Sequence, residues 1–470
     1  MVNNKGQHPA EKLVYHRQNA WDRMNNSERN EAEVFCREYM GFLGTAKTER
    51  EAVEATQVYL DGAGFTPLLD NAQLKPGDKV YIINRRKTLI AAVIGKNPVV
   101  SGLNIIGAHL DSPRLDLKPQ PLYEDDGMAL LKTHYYGGIK KYQWLSVPLA
   151  LHGVVIKNDG TTISIVIGEK QEEPVFTVSD LLPHLAKDQM DKKMADAVPG
   201  EGLNVLVGGI PLGSTELKDR FKLAVLERLN NLYGIIEEDL ISAEIELVPS
   251  WKPRDVGLDS SFIGGYGQDD RVCVFTALRA LAEVGVPERT NLIVLTDKEE
   301  IGSTGNTGME SSFFANAIAE IVSRCVPGYN ELVLRRVLSR SRALSADVNA
   351  ALDPNYSEVF EKTNTARLGG GVVLTKYTGS KGKYATSDAH AEVVADIRRL
   401  FNLAGVVWQT GELGKVDQGG GGTIAHIMAS HDMDVLDCGV AVQGMHSTFE
   451  IVSKADVFMA YKGYKAFFAG

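Results

Sequence analysis

The chain opens on two segments whose apolar positions recur at helical spacing, SERNEAEVFCREYM over 27–40 and TEREAVEATQVYLD over 48–61. Both are expected to be helices burying one face. The period then shortens. KVYIINRR, TLIAAVIG and NIIGAHLD are short, rich in β-branched residues and bounded by polar turns, which predicts three strands. Beyond Pro113 the texture changes. From about 114 to 254, the strand-like runs ALLKTHYY, LSVPLALHGVVI, TTISIVIG and AEIELVPS are separated by polar turns, KDRFKLAVLERLNNLYG reads as a helix, and DQMDKKMADAVPGEG as a flexible loop. From Asp255 on, strands and helices alternate. DDRVCVFTALRALAEVG, SSFFANAIAEIVSRCV, VVADIRRLFNLAG and TIAHIMAS read as helices; NLIVLTD, SRALSADV and VLDCGVAV read as strands. Such alternation implies parallel strands joined by crossover helices. Because it begins before residue 113, the expected architecture is an α/β domain over 1–113 and 255–470, interrupted by a β-rich insertion over 114–254.

Composition narrows the class. A chain of 470 residues favours two domains, and 44% hydrophobic with 23% charged residues is the balance of a globular protein. The net charge of −10 argues against a nucleic-acid partner, because such binding rests on Lys and Arg neutralising phosphates. The polar start MVNNKGQHPAEKLVYHRQNAWDRM lacks the apolar centre of a secretory signal, and no apolar run is long enough to span a bilayer. A cytoplasmic protein with no membrane partner is therefore expected. Cys36, Cys273, Cys325 and Cys438 are scattered without a C-x-x-C pair, which suits reduced, buried thiols.

In an open α/β sheet, ligands bind beyond the carboxyl ends of the strands. Here those ends carry chemistry. NIIGAHLDSP ends in His109 and Asp111, NLIVLTDKEE in Glu299 and Glu300, SRALSADV in Asp347, and VLDCGVAVQGMHSTFE in His446; GGYGQDDRV sets Asp269 and Asp270 before a helix. Each alone has an ordinary explanation: Asp269, Asp270 or Asp347 as a helix cap, His446 as a hydrogen-bonded structural residue. Together, two imidazoles and several carboxylates are what two neighbouring divalent cations require. One imidazole per metal, one bridging carboxylate and one further carboxylate each would use His109, Asp347, Asp269, His446 and one of the two glutamates. The other glutamate is left as a general base. Strand periodicity does not say which is which. Asp111, two residues after His109, shares its strand face and is expected to accept the other imidazole N–H. A His and carboxylate set suits zinc, cobalt or manganese. The chain contains no H-E-x-x-H, G-x-S-x-G or G-x-x-x-x-G-K-[ST]. The glycine run in DQGGGGTIAHIMAS, 417–430, could present amides to an anion, but is read as a tight loop beside the metals.

GAHLDSPRLDLKPQP (107–121), GQDDRVCVFTALRAL (267–281), DKEEIGSTGNTGMES (297–311), SADVNAALDPNY (345–356) and GMHSTFE (444–450), in this order, resemble the dinuclear metal aminopeptidase family that includes aspartyl aminopeptidase and vacuolar aminopeptidase I. The resemblance implies a zinc-peptidase-like α/β domain, a mixed sheet flanked by helices, interrupted by a β-rich dimerisation domain. It implies two divalent metal ions, zinc first, held by His109, Asp269 as bridge, Glu300, Asp347 and His446. Glu299 is then the general base and Asp111 the orienting residue. It further implies a peptide substrate and a homo-oligomer whose dimers build a tetrahedral dodecamer, with His184 in DLLPHLAKD reaching a neighbouring subunit's site. The chain departs from the family in two places. IKKYQWLSVPLAL follows HYYGG where many relatives have a tryptophan-rich segment, and GGGVVLTKYTG puts Thr375 or Lys376 nearest the position of the lysine found in acid-selective relatives. Both departures open a neutral or broad side-chain preference. A metal-dependent deacylase or a non-catalytic assembly protein are the rival readings.

Overall fold

Four parallel strands, Asn291–Thr296, Asn104–His109, Arg342–Ser345 and Asp434–Gly439, lie side by side in that order at the centre of the protein, seen in a computed structural model that describes residues 13–68 and 73–470. They are buried almost throughout, so they read as continuous apolar runs and not as alternating ones. Beyond Asn291–Thr296 the sheet continues through Thr88–Val93, Lys79–Asn84 and Thr66–Pro67. On the other side it continues through Val372–Thr375, antiparallel to its neighbour, and Trp408–Thr410. The nine-stranded sheet is thus mixed, as expected.

Alternate residues of each strand feed two cores. Leu89, Ala91 and Ile106 pack on one face with the helices Asn26–Thr45, Gln268–Glu283 and Lys454–Ala469; Ile90, Ala92 and Ile105 pack on the other with Phe313–Cys325 and Glu331–Ser339. The first helix begins one residue before the predicted stretch, where Asn25 and Glu28 form a capping box, and runs on to Thr45 because Phe42 and Leu43 are still buried. Lys454–Ala469 was not foreseen. It is buried on nearly every side, so it has no polar stripe to announce a helix.

Residues 114–249 build a separate antiparallel sheet, in the order Thr162–Ile167, Leu149–Ile156, Ala243–Pro249, Arg114–Asp125, Met128–Tyr136, Val205–Gly208. Its own core gathers around Trp144, Leu131, Val205 and Leu247. Arg114–Asp125 escaped the sequence reading because Pro119 and Pro121 argue against a strand. The structure absorbs them where the register with Met128–Tyr136 shifts, between Leu117 and Leu122. DQMDKKMADAVPGEG, expected as a flexible loop, instead holds most of the one-turn helix Lys187–Met190, all of Met194–Ala197 and the 3-10 turn Gly200–Gly202.

A third sheet joins Arg254–Val256, Phe262–Gly265, Glu450–Ser453, Ala441–Gln443 and Asn349–Ala350. VLDCGVAV, read as one strand, is two: the chain leaves the large sheet at Gly439 and enters the third at Ala441. Gly439 permits the crossing, because a Cβ there would lie 1.8 Å from the Asp347 carbonyl oxygen. The four cysteines are free thiols, and no helix among the described residues is long and apolar enough to cross a membrane.

His152 fastens the antiparallel sheet to the helical layer. Its Nδ1 lies 2.7 Å from Glu51 and its Nε2 3.1 Å from Glu169, while Lys47 Nζ donates to Glu169 at 2.6 Å and to the Pro249 carbonyl at 2.7 Å. Burial disfavours the charged ring, but the two carboxylates outweigh it and hold the imidazole above its ordinary pKa. A raised folded-state pKa adds stability that is complete below the unfolded value near ~6.5 and is lost as pH rises through the folded value. His152→Gln is therefore expected to lower unfolding free energy by about 1–3 kcal/mol at pH ~6, with the deficit narrowing toward alkaline pH. Urea titrations of both proteins across that range check it, and a pH-independent deficit would assign His152 a packing role only.

Candidate metal centre

The carboxyl ends of the central strands converge on one cleft. His109 is the last residue of Asn104–His109, and Asp347 follows Arg342–Ser345 by two residues. Glu299 and Glu300 form the 3-10 turn Glu299–Ile301 after Asn291–Thr296, entered through Lys298 in left-handed conformation. Asp269 and Asp270 lie at the start of Gln268–Glu283 with non-helical backbone angles, and the helix is flanked by Gly267 with no side-chain cap. Neither aspartate is spent on capping. Nor is Asp347, because the residues that follow it enter the strand Asn349–Ala350 and not a helix. His446 does not sit on the end of a central strand; it arrives on the turn between Ala441–Gln443 and Glu450–Ser453 of the third sheet.

The Asp269 carboxylate stands between the two imidazoles. Oδ1 is 3.1 Å from His109 Nε2 and Oδ2 is 3.2 Å from His446 Nε2. Glu300 Oε1 is 3.4 Å from His446 Nε2, and Asp347 Oδ1 is 4.0 Å from His109 Nε2. Each ring has its other nitrogen occupied by a main-chain carbonyl: His109 Nδ1 by that of Asp111 at 3.0 Å, His446 Nδ1 by that of Gly138 at 2.9 Å. This fixes both rings with Nε2 inward. The Asp111 carboxylate is 3.5 Å from His109 Nδ1 and does more besides. It accepts the backbone N–H groups of Glu299 and Glu300, each at 3.1 Å, and the Tyr136 hydroxyl at 2.8 Å.

Two residues here were not assigned roles from the sequence. Asp270, fully buried, aims inward: Oδ2 accepts the His109 N–H at 3.3 Å, Oδ1 has no hydrogen-bond partner, and its carboxylate lies within ligand distance of His109 and Asp347. Glu450, 1% exposed, accepts the Asp269 N–H at 3.1 Å and the His446 N–H at 2.8 Å. Its only signal in the sequence was an acid four residues after His446, within GMHSTFE.

These groups are electrostatically overloaded. Burial, with Asp269 and Asp111 adding to it against the pull of His109, lifts Glu299 to about 7. Burial and the neighbouring carboxylates push Glu300 and Asp347 far above the carboxylate range. Asp269 is held low, since hydrogen bonds from both imidazoles overcome its burial. Carboxylates packed this closely call for positive charge among them. Glu300 Oε1, buried and without a hydrogen-bond partner, is an acceptor of the same kind. His109, Asp269 and Glu300 form one donor set within 4.8 Å, and His109, Asp270 and Asp347 another, so the residues fit divalent cations well.

The cleft has a volume of about 370 Å³. His109, Asp269, Glu299, Glu300, Asp347 and His446 form its floor; Thr375, Tyr377, Thr378, Leu413, Ile427 and Met445 contribute to its walls. Gly420 and Gly421 close one side, paired with Gly379 and Ser380, which matches the tight-loop reading of the glycine run. Of the two specificity candidates, Thr375 lines the cleft and Lys376 does not. His184 is exposed and outside its own chain's cleft.

Residues 42–468 match the family described as Aminopeptidase I zinc metalloprotease (M18). The chain belongs to the M18 family. A Clostridium acetobutylicum protein named "Probable M18 family aminopeptidase 1" is 50% identical over 459 residues, covering 97% of this chain and 98% of that one. The crystal structure of an M18 aminopeptidase from Thermotoga maritima superposes with a TM-score of 0.93 at 50% identity, covering 97% of this chain and 99% of that one. The mApe1 dodecamer of S. cerevisiae, 23% identical with a TM-score of 0.74 over 93% of this chain and 97% of that one, shares the fold. The resemblance drawn from the five motifs is borne out, and the protein is a metal-dependent aminopeptidase, a hydrolase acting on peptides.

Since Glu450 carries the backbone of both Asp269 and His446, Glu450→Gln should weaken zinc binding about 10–100-fold with secondary structure retained. Chelator competition together with far-UV circular dichroism tests this; unchanged affinity would leave Glu450 as a packing residue.

Proposed function

We propose that this M18 enzyme is a two-metal aminopeptidase. His109 and Asp347 would hold one divalent cation, His446 and Glu300 the other, with Asp269 between them. The observation that carries the reading is the Asp269 carboxylate, which offers one oxygen toward each imidazole Nε2 at 3.1 and 3.2 Å. Zinc is named in the family description, and the same donors accept cobalt or manganese. When bound, such cations supply Lewis acidity to a peptide carbonyl and bring the pKa of water toward neutrality.

The chain's own residues do the rest. A centre of this kind would take the lone pair of a free α-amine and so select the N-terminus of a peptide. Glu300 falls within a donor set and Glu299 does not, so Glu299 is the base that the family resemblance implies, and its turn is tied down by Asp111. It takes a proton from the attacking water as oxygen bonds to the scissile carbonyl carbon, then delivers that proton to the amine nitrogen as the C–N bond breaks. Asp111 holds Glu299 and Glu300 in register, and Asp270 steadies His109 through its backbone.

Leu413, Ile427 and Met445 in the walls, with no lysine or arginine among the described lining residues, favour a neutral N-terminal side chain over an acidic one. The 114–254 insertion acts as a dimerisation domain within the 1–113 and 255–470 catalytic domain, and its dimers assemble into a tetrahedral dodecamer in the cytoplasm. Support comes from an apolar hollow of about 610 Å³ on the insertion, bordered by exposed Met128, Val175, Leu206 and Leu232. His184, exposed beside Leu182 and Leu185, then serves a neighbouring copy's cleft.

Glu299→Gln should retain zinc while turnover falls about 10²–10⁴-fold, measured by zinc content and anilide hydrolysis; near-normal turnover removes Glu299 as the base. On a panel of anilides, chelator-sensitive cleavage of leucyl above aspartyl substrates is expected, with N-acetylated ones untouched. Preference for the N-acetylated substrates would instead establish a deacylase.

A further inference from the structure

The segment HYYGG, 134–138, closes the strand Met128–Tyr136 of the antiparallel sheet and reaches the metal centre from outside the α/β layers. Tyr136 donates its hydroxyl to Asp111 Oδ2 at 2.8 Å, on the carboxylate that carries the Glu299 and Glu300 amides. Its ring lies 3.9 Å beneath the Arg114 guanidinium, which is itself paired with Asp116 at 2.8 Å, Glu246 at 3.2 Å and Glu49 at 3.3 Å. Gly138 offers its carbonyl to His446 Nδ1 and so leaves Nε2 free for Asp269 and Glu300. Between them, Gly137 has φ +74, and a Cβ on it would stand 3.4 Å from Glu300. Three consecutive residues of the insertion thus bear on both halves of the site.

We propose that Tyr136–Gly138 is a positioning segment of the metal centre: Tyr136 sets Glu299 and Glu300 through Asp111, and Gly138 sets the ring of His446. This rests on the two-metal reading above. The physical reason is that Asp111 is a buried carboxylate whose Oδ2 accepts both the Glu300 amide and the Tyr136 hydroxyl, so the phenol donor helps to fix the oxygen on which that amide rests. Lose that donor, and the turn Glu299–Ile301 loses a fixed anchor. The insertion is then part of the active site of its own chain, besides any part it takes in assembly.

The test is Tyr136→Phe, which keeps the ring under Arg114 and removes one hydroxyl. Zinc affinity by chelator competition should weaken about 10–100-fold, and kcat of the zinc-saturated enzyme should fall about 10-fold with KM within about 2-fold. The visible spectrum of the cobalt-substituted protein should shift. In an Asp111→Ala background, where no acceptor remains for the phenol, the same substitution should change zinc affinity no further, because both act through one hydrogen bond. Zinc affinity and cobalt spectrum unchanged in Tyr136→Phe, or an equal loss in both backgrounds, would overturn the proposal. Should Tyr136→Phe fail to fold, the Asp111→Ala protein and the wild type decide by their cobalt spectra: identical spectra reject a role for the Asp111 anchor. Absence of chelator-sensitive zinc binding in the wild type would instead defeat the two-metal reading itself, so the two failures are distinguishable.

Discussion

The constraint on which the site depends is the gathering of several carboxylates in one cleft. Asp269, Asp270, Glu299, Glu300 and Asp347 face two imidazoles at the carboxyl ends of a parallel sheet, where ordinary packing would tolerate none of them unpaired. Burial and mutual repulsion push Glu300 and Asp347 far above the carboxylate range, while hydrogen bonds from the two imidazoles hold Asp269 low. A cluster this unfavourable to bury persists only because the surrounding sheets hold it rigidly, which is also what a preorganised metal centre requires.

That rigidity is supplied by backbone hydrogen bonds to two buried acids. Asp111 holds the amides of Glu299 and Glu300; Glu450 holds those of Asp269 and His446. Asp269, Glu300 and His446 are thus each governed by an acid outside the donor set, and His109 by its own ring and amide contacts. Asp347 is placed differently, by the close approach of its carbonyl to Gly439 where the chain changes sheets. The adjacent glutamates acquire different environments because the 3-10 turn sends one side chain toward His446 and leaves the other facing the cleft.

The antiparallel insertion is bound to this arrangement by charge. Arg114, nearly fully buried, joins Glu49 on the first helical layer to Glu246 and Asp116 on the insertion, and Lys47 and His152 repeat the pattern nearby. Buried ion pairs of this kind add little net stability over an apolar contact, but they fix geometry, since any shift strands a charge. The sheet that carries Tyr136 and Gly138 is therefore held in register with the cleft.

The sequence by itself determined the alternation of elements, the interruption near residue 114, and the chemistry at the strand ends, because hydrophobic period and turn residues are local properties of the chain. His109, Asp269, Glu299, Glu300, Asp347 and His446 could all be named from their positions after apolar runs or before a helix. Strand Arg114–Asp125 was hidden by its two prolines and helix Lys454–Ala469 by its lack of a polar face, since in both cases tertiary packing overrode the local signal. Only the tertiary structure decided that one carboxylate of Asp269 faces both imidazoles, that Asp270 and Glu450 belong to the site, and that Tyr136 touches Asp111. These are distances between residues far apart in the chain, and side-chain periodicity carries no information about which strand end meets which.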